Sequence, residues 1–222
     1  MQRISSIALG LALSALVTST ATAQWNVARF DAGENRIYTA VGLDPAVVST
    51  VGYGRVIPVF GRPVQFAGDI GVASAGWDVN DFRARLQAYA SVVEWRDVHL
   101  TGSATFLTRG TENLIYRGLN FGADLTGTVG MYRGGWFVAG ELGFDKAVIT
   151  HITHTDWYRE NNYADAKDGW YLDAGGTYHY GVAGGFAIGR AELVGRFGWQ
   201  RTEKWNDLAA PVYVSLGTGF AF

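Results

Sequence analysis

Between residues 149 and 170 the sequence collects His151, His154, Asp156, Glu160 and Asp165, interleaved with Trp157, Tyr158 and Tyr163. Imidazole and carboxylate groups at close spacing can hold a divalent cation. A His-x-x-His pair does so only where a rigid element fixes both rings, and no third ligand stands at a matching offset here. No metal is therefore expected, and the segment reads as a solvated loop. Its tryptophan and tyrosines are apolar on their faces and polar at one end, which suits contact with a surface ligand. The expected contact set is His151, His154, Asp156, Trp157, Tyr158 and Tyr163.

Nucleophilic chemistry finds little support. Outside the first 23 residues, Ser49, Ser74, Ser91, Ser103 and Ser215 lie on or near extended segments, with no histidine in local register. A His-x-Ser unit is absent. Asp97-Val98-His99 forms an Asp-x-His unit, but no Asp-x-Asp pair accompanies it. The glycines are scattered along the chain and do not cluster ahead of a helix, so no phosphate cradle is present. Neither an enzyme nor a cofactor is expected from these residues.

The elements that would position such groups begin after a leader. Arg3 precedes an apolar run at 7–17, and Ala21-Thr22-Ala23 matches a small-residue cleavage site. That run is too short to cross a bilayer as a helix, which takes about 20 residues. Residues 1–23 are thus expected to be removed, leaving 24–222 as one domain. There is no cysteine, so neither a disulfide framework nor a lipid-anchored cysteine is available. Loss of Arg3 would move the formal charge from −2 to −3. That balance does not suggest binding to nucleic acid.

From residue 35 onward the hydrophobic pattern has period two. Val212, Val214, Leu216, Thr218, Phe220 and Phe222 fall on one face; Tyr213, Ser215, Gly217, Gly219 and Ala221 fall on the other. Comparable alternation marks 35–43, 47–57, 64–72, 82–92, 98–106, 118–131, 136–148, 171–188 and 190–201. One face is bulky and apolar, and the other is small or polar. Such a pattern fits a sheet with lipid outside and a narrow polar lumen inside. The fold class is therefore all-β: a closed antiparallel up-and-down transmembrane barrel of about ten strands, with eight or twelve as alternatives.

Connection lengths sort in the same sense. With Phe222 at the periplasmic side, the periplasmic turns are 60–62, 94–97, 132–135 and 189–190. The extracellular connections are 44–46, 74–81, 108–117, 149–170 and 202–210. Tyr132, Trp136, Phe186, Phe220 and Phe222 would form one interfacial girdle, and Phe82, Phe106, Phe144, Trp170 and Trp199 the other.

The last strand, ending in Phe220 and Phe222, resembles the C-terminal signal of Gram-negative outer-membrane β-barrel proteins. The resemblance implies an outer-membrane location, contact with lipid and lipopolysaccharide, and handling by the outer-membrane assembly machinery. The paired aspartates of the omptin proteases, which are ten-stranded barrels, are missing here.

The inward faces carry Asp69, Arg83, Arg85, Asp124, Glu141, Asp145, Asp173, His179, Glu192 and Arg196, with His99 and Arg36 nearer the ends. Two arrangements are open. Opposite charges pair and close the interior, or acids and arginines line separate walls of a narrow ion path. Residues 24–34 are long enough to enter the lumen from below. The expected function is a monomeric barrel with a structural, adhesive or surface-contact role. A small-solute channel and an enzyme at the rim are the alternatives.

Overall fold

A computed structural model describes residues 24–44, 46–74, 80–173 and 175–222; the expected leader, 1–23, lies outside them. Among the described residues there are eleven strands, one α-helix and one 3-10 turn. In chain order the strands are β1 (Asn35–Asp44), β2 (Ala46–Val59), β3 (Arg62–Ala73), β4 (Phe82–Trp95), β5 (Val98–Glu112), β6 (Tyr116–Arg133), β7 (Trp136–His154), β8 (Gly169–Leu172), β9 (Gly176–Ile188), β10 (Ala191–Thr202) and β11 (Asp207–Ala221). The helix, α1, spans Asp156–Asn161 and the 3-10 turn Val27–Arg29.

Ten of these strands close a ring. Each pairs antiparallel with its neighbours, β7 with β6 and β9, and β11 returns to β1. The closing register runs from Arg36 opposite Ala221 to Leu43 opposite Val214. Closure leaves no unpaired edge. The short β8 stands outside the ring, paired only with the far end of β7.

The alternation sets the facing. Val51, Ile70, Leu86, Phe106, Leu125, Leu142 and Leu216 point outward and are more than half exposed. Thr50, Asp69, Arg85, Thr105, Asp124, Glu141 and Ser215 point inward and are buried. An apolar belt around the whole wall far exceeds what a water-soluble monomer exposes. It is the surface expected against hydrocarbon.

One end carries tight turns. Phe60 and Gly61 both take positive φ, 50° and 78°, as the two-residue hairpin requires. Arg96–Asp97, Gly134–Gly135 and Gly189–Arg190 close the other three hairpins at this end. The opposite end differs from the sequence expectation, because the ladders run on past the apolar belt. The expected loops at 108–117 and 202–210 shrink to Asn113–Ile115 and Glu203–Asn206, and β7 continues to His154. The segment expected as one strand at 171–188 breaks after Leu172, where Asp173 and Gly175 adopt φ of 55° and 109°.

Tyr132 also departs from expectation. Its position in β6 turns it inward, where it is buried and stacks on Phe137 with ring centroids 5.1 Å apart.

Candidate functional site

The lumen is built from side chains that meet over glycines. On β2, Gly52 lies opposite Tyr38 of β1 and Asp69 of β3. Because Gly52 has no side chain, the Tyr38 hydroxyl crosses it to donate to Asp69 Oδ2 at 2.9 Å. A Cβ at this position would stand 2.2 Å from the Tyr38 ring. Arg85, the cross-strand partner of Asp69, donates from Nε and Nη2 at 2.8 and 2.9 Å. Gly143 on β7 plays the same part beneath His179, whose Nε2 lies 2.7 Å from Asp124 Oδ2. Thr126 donates to the other oxygen of Asp124 at 2.7 Å. Over Gly198 and Gly181 the Tyr213 hydroxyl reaches Glu141 and donates to it, and Arg196, two positions along β10, makes a bidentate pair with the same carboxylate at 3.0 and 2.7 Å.

Nine of the ten lumen charges expected from sequence lie inside, buried: Asp69, Arg83, Arg85, Asp124, Glu141, Asp145, His179, Glu192 and Arg196. Asp173 does not. The break between β8 and β9 carries it out of the wall to pair with Lys146, and its side chain is 72% exposed. Arg109, missing from the expected set, is inside and pairs with Asp145. The signal was available, because Arg109 continues the inward series Ser103, Thr105 and Leu107. The expected strand ended at 106, three residues short.

The lower lumen is apolar and plugged. The chain ahead of β1 turns into the mouth beside the tight turns, burying Gln24, Trp25, Asn26, Val27 and Phe30. Trp25 packs 5.4 Å from the Tyr38 ring and against Gly219, where a Cβ would come within 2.8 Å. The Arg36 guanidinium covers both Trp25 and Phe30, 5.1 and 5.6 Å from their ring centres. Polar anchors hold the segment. The Asn26 N–H donates to Glu192 at 2.7 Å, and Arg29 donates to the turn carbonyls of Gly134 and Gly189.

At the other end, β7, β8 and α1 form a projecting unit. Thr155 caps α1 by accepting from the Tyr158 N–H. Asp168 binds the His154 N–H at 2.8 Å and the Arg159 guanidinium at 2.6 Å. The His154 backbone donor first, then Arg159 and the His154 ring, hold the Asp168 carboxyl at about 2. Of the expected contact residues, Asp156, Trp157 and Tyr163 are exposed. His154 and Tyr158 are buried and stack on each other at 5.3 Å, while His151 packs on Trp170 at 4.9 Å. Among the described residues no group of three His, Cys, Asp or Glu side chains is placed to hold a metal.

Ser91 has no histidine in register, as expected from sequence, but its side chain does meet one. A bulge at Val92 skips one residue on β4, so that Ser91 lies opposite Thr101 and Glu94 opposite His99. The Ser91 hydroxyl is 3.0 Å from His99 Nδ1.

No protein-family model and no curated relative matches the sequence. Solved structures do resemble the fold. An outer-membrane channel from Pseudomonas putida F1 aligns with a TM-score of 0.52 at 10% identity, over 90% of this chain and all of that one. Weaker likenesses link it to the outer-membrane protease OmpT of Escherichia coli (TM-score 0.43, 10% identity, 92% of this chain and all of that one). Another is Ail, the attachment invasion locus protein of Yersinia pestis (0.39, 13%, 86% and all of that chain). The closed ten-strand ring with its apolar exterior is the architecture of the small outer-membrane β-barrels.

Proposed function

We propose that the protein is a closed outer-membrane barrel that conducts nothing in its resting state and works through its loop end, as a structural or surface-contact protein. The tight turns would face the periplasm, and the β7–β8–α1 projection the exterior. The observation that carries this reading is the filled lumen. Buried polar groups over Gly52, Gly143 and Gly181 line its wall, and the segment around Trp25 stops its lower mouth. Charges paired with hydrogen-bonded partners do not present the ring of one sign that would select an ion. Outside, Trp157 and Tyr163 supply the amphipathic contact surface. The apolar belt meets lipid, lipopolysaccharide lies around the loop end, and β11 with Phe220 and Phe222 would present the assembly signal. The barrel acts as a monomer in this reading.

A narrow channel is the second reading, favoured by the plug itself. The plug is held by a few hydrogen bonds and ring contacts and is not a strand of the sheet. Conductance in a planar bilayer separates the two. The intact chain is expected to be silent. Steps from a variant lacking residues 24–33 would establish a path that the plug shuts. Stable, ion-selective steps from the intact barrel would overturn the closed reading.

A further inference from the structure

At the turn end, a cavity of about 590 Å³ lies between the plug and the wall. That volume is in the range of small-molecule sites. Ser91, Glu94 and His99 face it, together with Arg62, Arg96 and an Arg133–Asp97 ion pair. These residues converge because the bulge at Val92 resets the register of β4 against β5. Without that extra residue, Glu94 and His99 would not lie opposite each other. Bulges often re-aim side chains beside active sites.

The His99 ring is buried and held edge-on by Tyr132, with centroids 5.4 Å apart. Its Nδ1 meets the Ser91 hydroxyl at 3.0 Å, and its Nε2 faces a Glu94 carboxylate oxygen at 4.0 Å. The carboxylate can only accept, so it favours the tautomer with the proton on Nε2. The Nδ1 lone pair is then turned to the serine, as a general base requires. The two ring nitrogens exchange the roles they have in the best-known triads, and the proton logic is the same. The gap to Glu94 is longer than a hydrogen bond, as is common before a substrate closes a site. Arg62 donates to the Val92 carbonyl at 2.5 Å and lines the same cavity as Ser91.

We propose that Ser91 and His99 form an acyl-transfer site, positioned by Glu94, that hydrolyses a carboxylic ester bearing a negative charge. The Ser91 oxygen bonds to the ester carbonyl carbon as its proton passes to His99 Nδ1. The carbonyl–oxygen bond to the leaving alcohol breaks, and that alcohol takes the proton from His99. Water then repeats the sequence: its proton goes to His99, its oxygen to the acyl carbon, and Ser91 leaves with its proton restored. Arg62 and Arg96, which Asp97 does not engage as it does Arg133, favour an ester that carries a negative charge. The site lies at the opposite end from the surface-contact unit and does not depend on a closed lumen.

The test is covalent labelling of the refolded barrel with a fluorophosphonate, with folding checked by heat-dependent gel mobility. Labelling is expected on the peptide holding Ser91, absent in Ser91→Ala, and slowed about 100-fold or more in His99→Gln, as loss of a general base does. Glu94→Gln should lower turnover of 4-nitrophenyl hydrogen succinate with KM unchanged, and Glu94→Asp should restore part of it. Phosphatidylglycerol vesicles form the second arm. Release of fatty acid from them assigns a lipid ester, and turnover of the succinate ester alone assigns a soluble one. A folded barrel that takes no label, or label that persists in Ser91→Ala, would overturn the site.

Discussion

Arg196 and Glu141 are 55 positions apart in sequence, and both are buried from solvent. Each was legible as inward-facing from the alternation of its own strand. Their partnership was not. It needs β7 and β10 set so that Arg196 reaches Glu141 from two positions along the strand, which depends on the stagger of three strands. A buried carboxylate left without its guanidinium is costly, so Arg196→Met is expected to destabilise the barrel by about 3–5 kcal/mol. Urea unfolding in micelles measures it, with Glu141→Gln in the same chain recovering much of the loss. A cost under about 1 kcal/mol, the worth of a solvated pair, would mean that water fills the lumen. Ser91 and His99 were each legible as inward-facing, but the place of Glu94 beside His99 was not. Counting by twos along β4 misplaces every residue beyond Val92, and nothing in the side chains around Val92 announces a bulge.

Strand β7 shows what an element can and cannot declare. Val138, Leu142 and Phe144 alternate with Ala139, Glu141 and Asp145, and that half was readable from period two. Beyond Ala147 the pairing with β6 shifts, and the inward positions become Thr150, Ile152 and His154. The shift turned an expected loop into a longer strand that β8 and α1 build upon. Leu142 lies well within the regular half, outward and 59% exposed. Leu142→Arg is expected to cost roughly 2–4 kcal/mol, the penalty for a cation near the middle of the hydrocarbon. Unfolding midpoints in lipid vesicles decide it, and no change would place this face away from the bilayer. The same substitution at Glu141 would test nothing, because that side chain never meets lipid.

At the scale of the whole molecule, the plug ties the chain ahead of β1 to the turn end of the ring. It binds three distant places at once: Glu192 on β10, the carbonyl of Gly134 between β6 and β7, and that of Gly189 between β9 and β10. Gly219 provides the room for Trp25. Gly219→Leu is therefore expected to expel the segment while the ring stays closed. The absence of native cysteine makes this measurable. Val27→Cys should resist maleimide in the parent barrel and react readily when combined with Gly219→Leu; equal slow labelling in both would show that Trp25 does not depend on that gap. Accessibility governs the difference, since a buried thiol is inert.

The amino-acid sequence by itself determined the wall. Period-two alternation with one bulky apolar face and one small or polar face fits strands closed around a narrow polar lumen with the bulky face toward lipid, and the turn residues mark where each hairpin folds back. It also determined which charges are inward, wherever the strand ran without interruption. Only the tertiary structure decided which charges meet, where the bulges fall, and that residues 24–31 fill the mouth. Those outcomes depend on the stagger of strands around a closed ring, and stagger is a sum over all ten pairings. No single segment carries it.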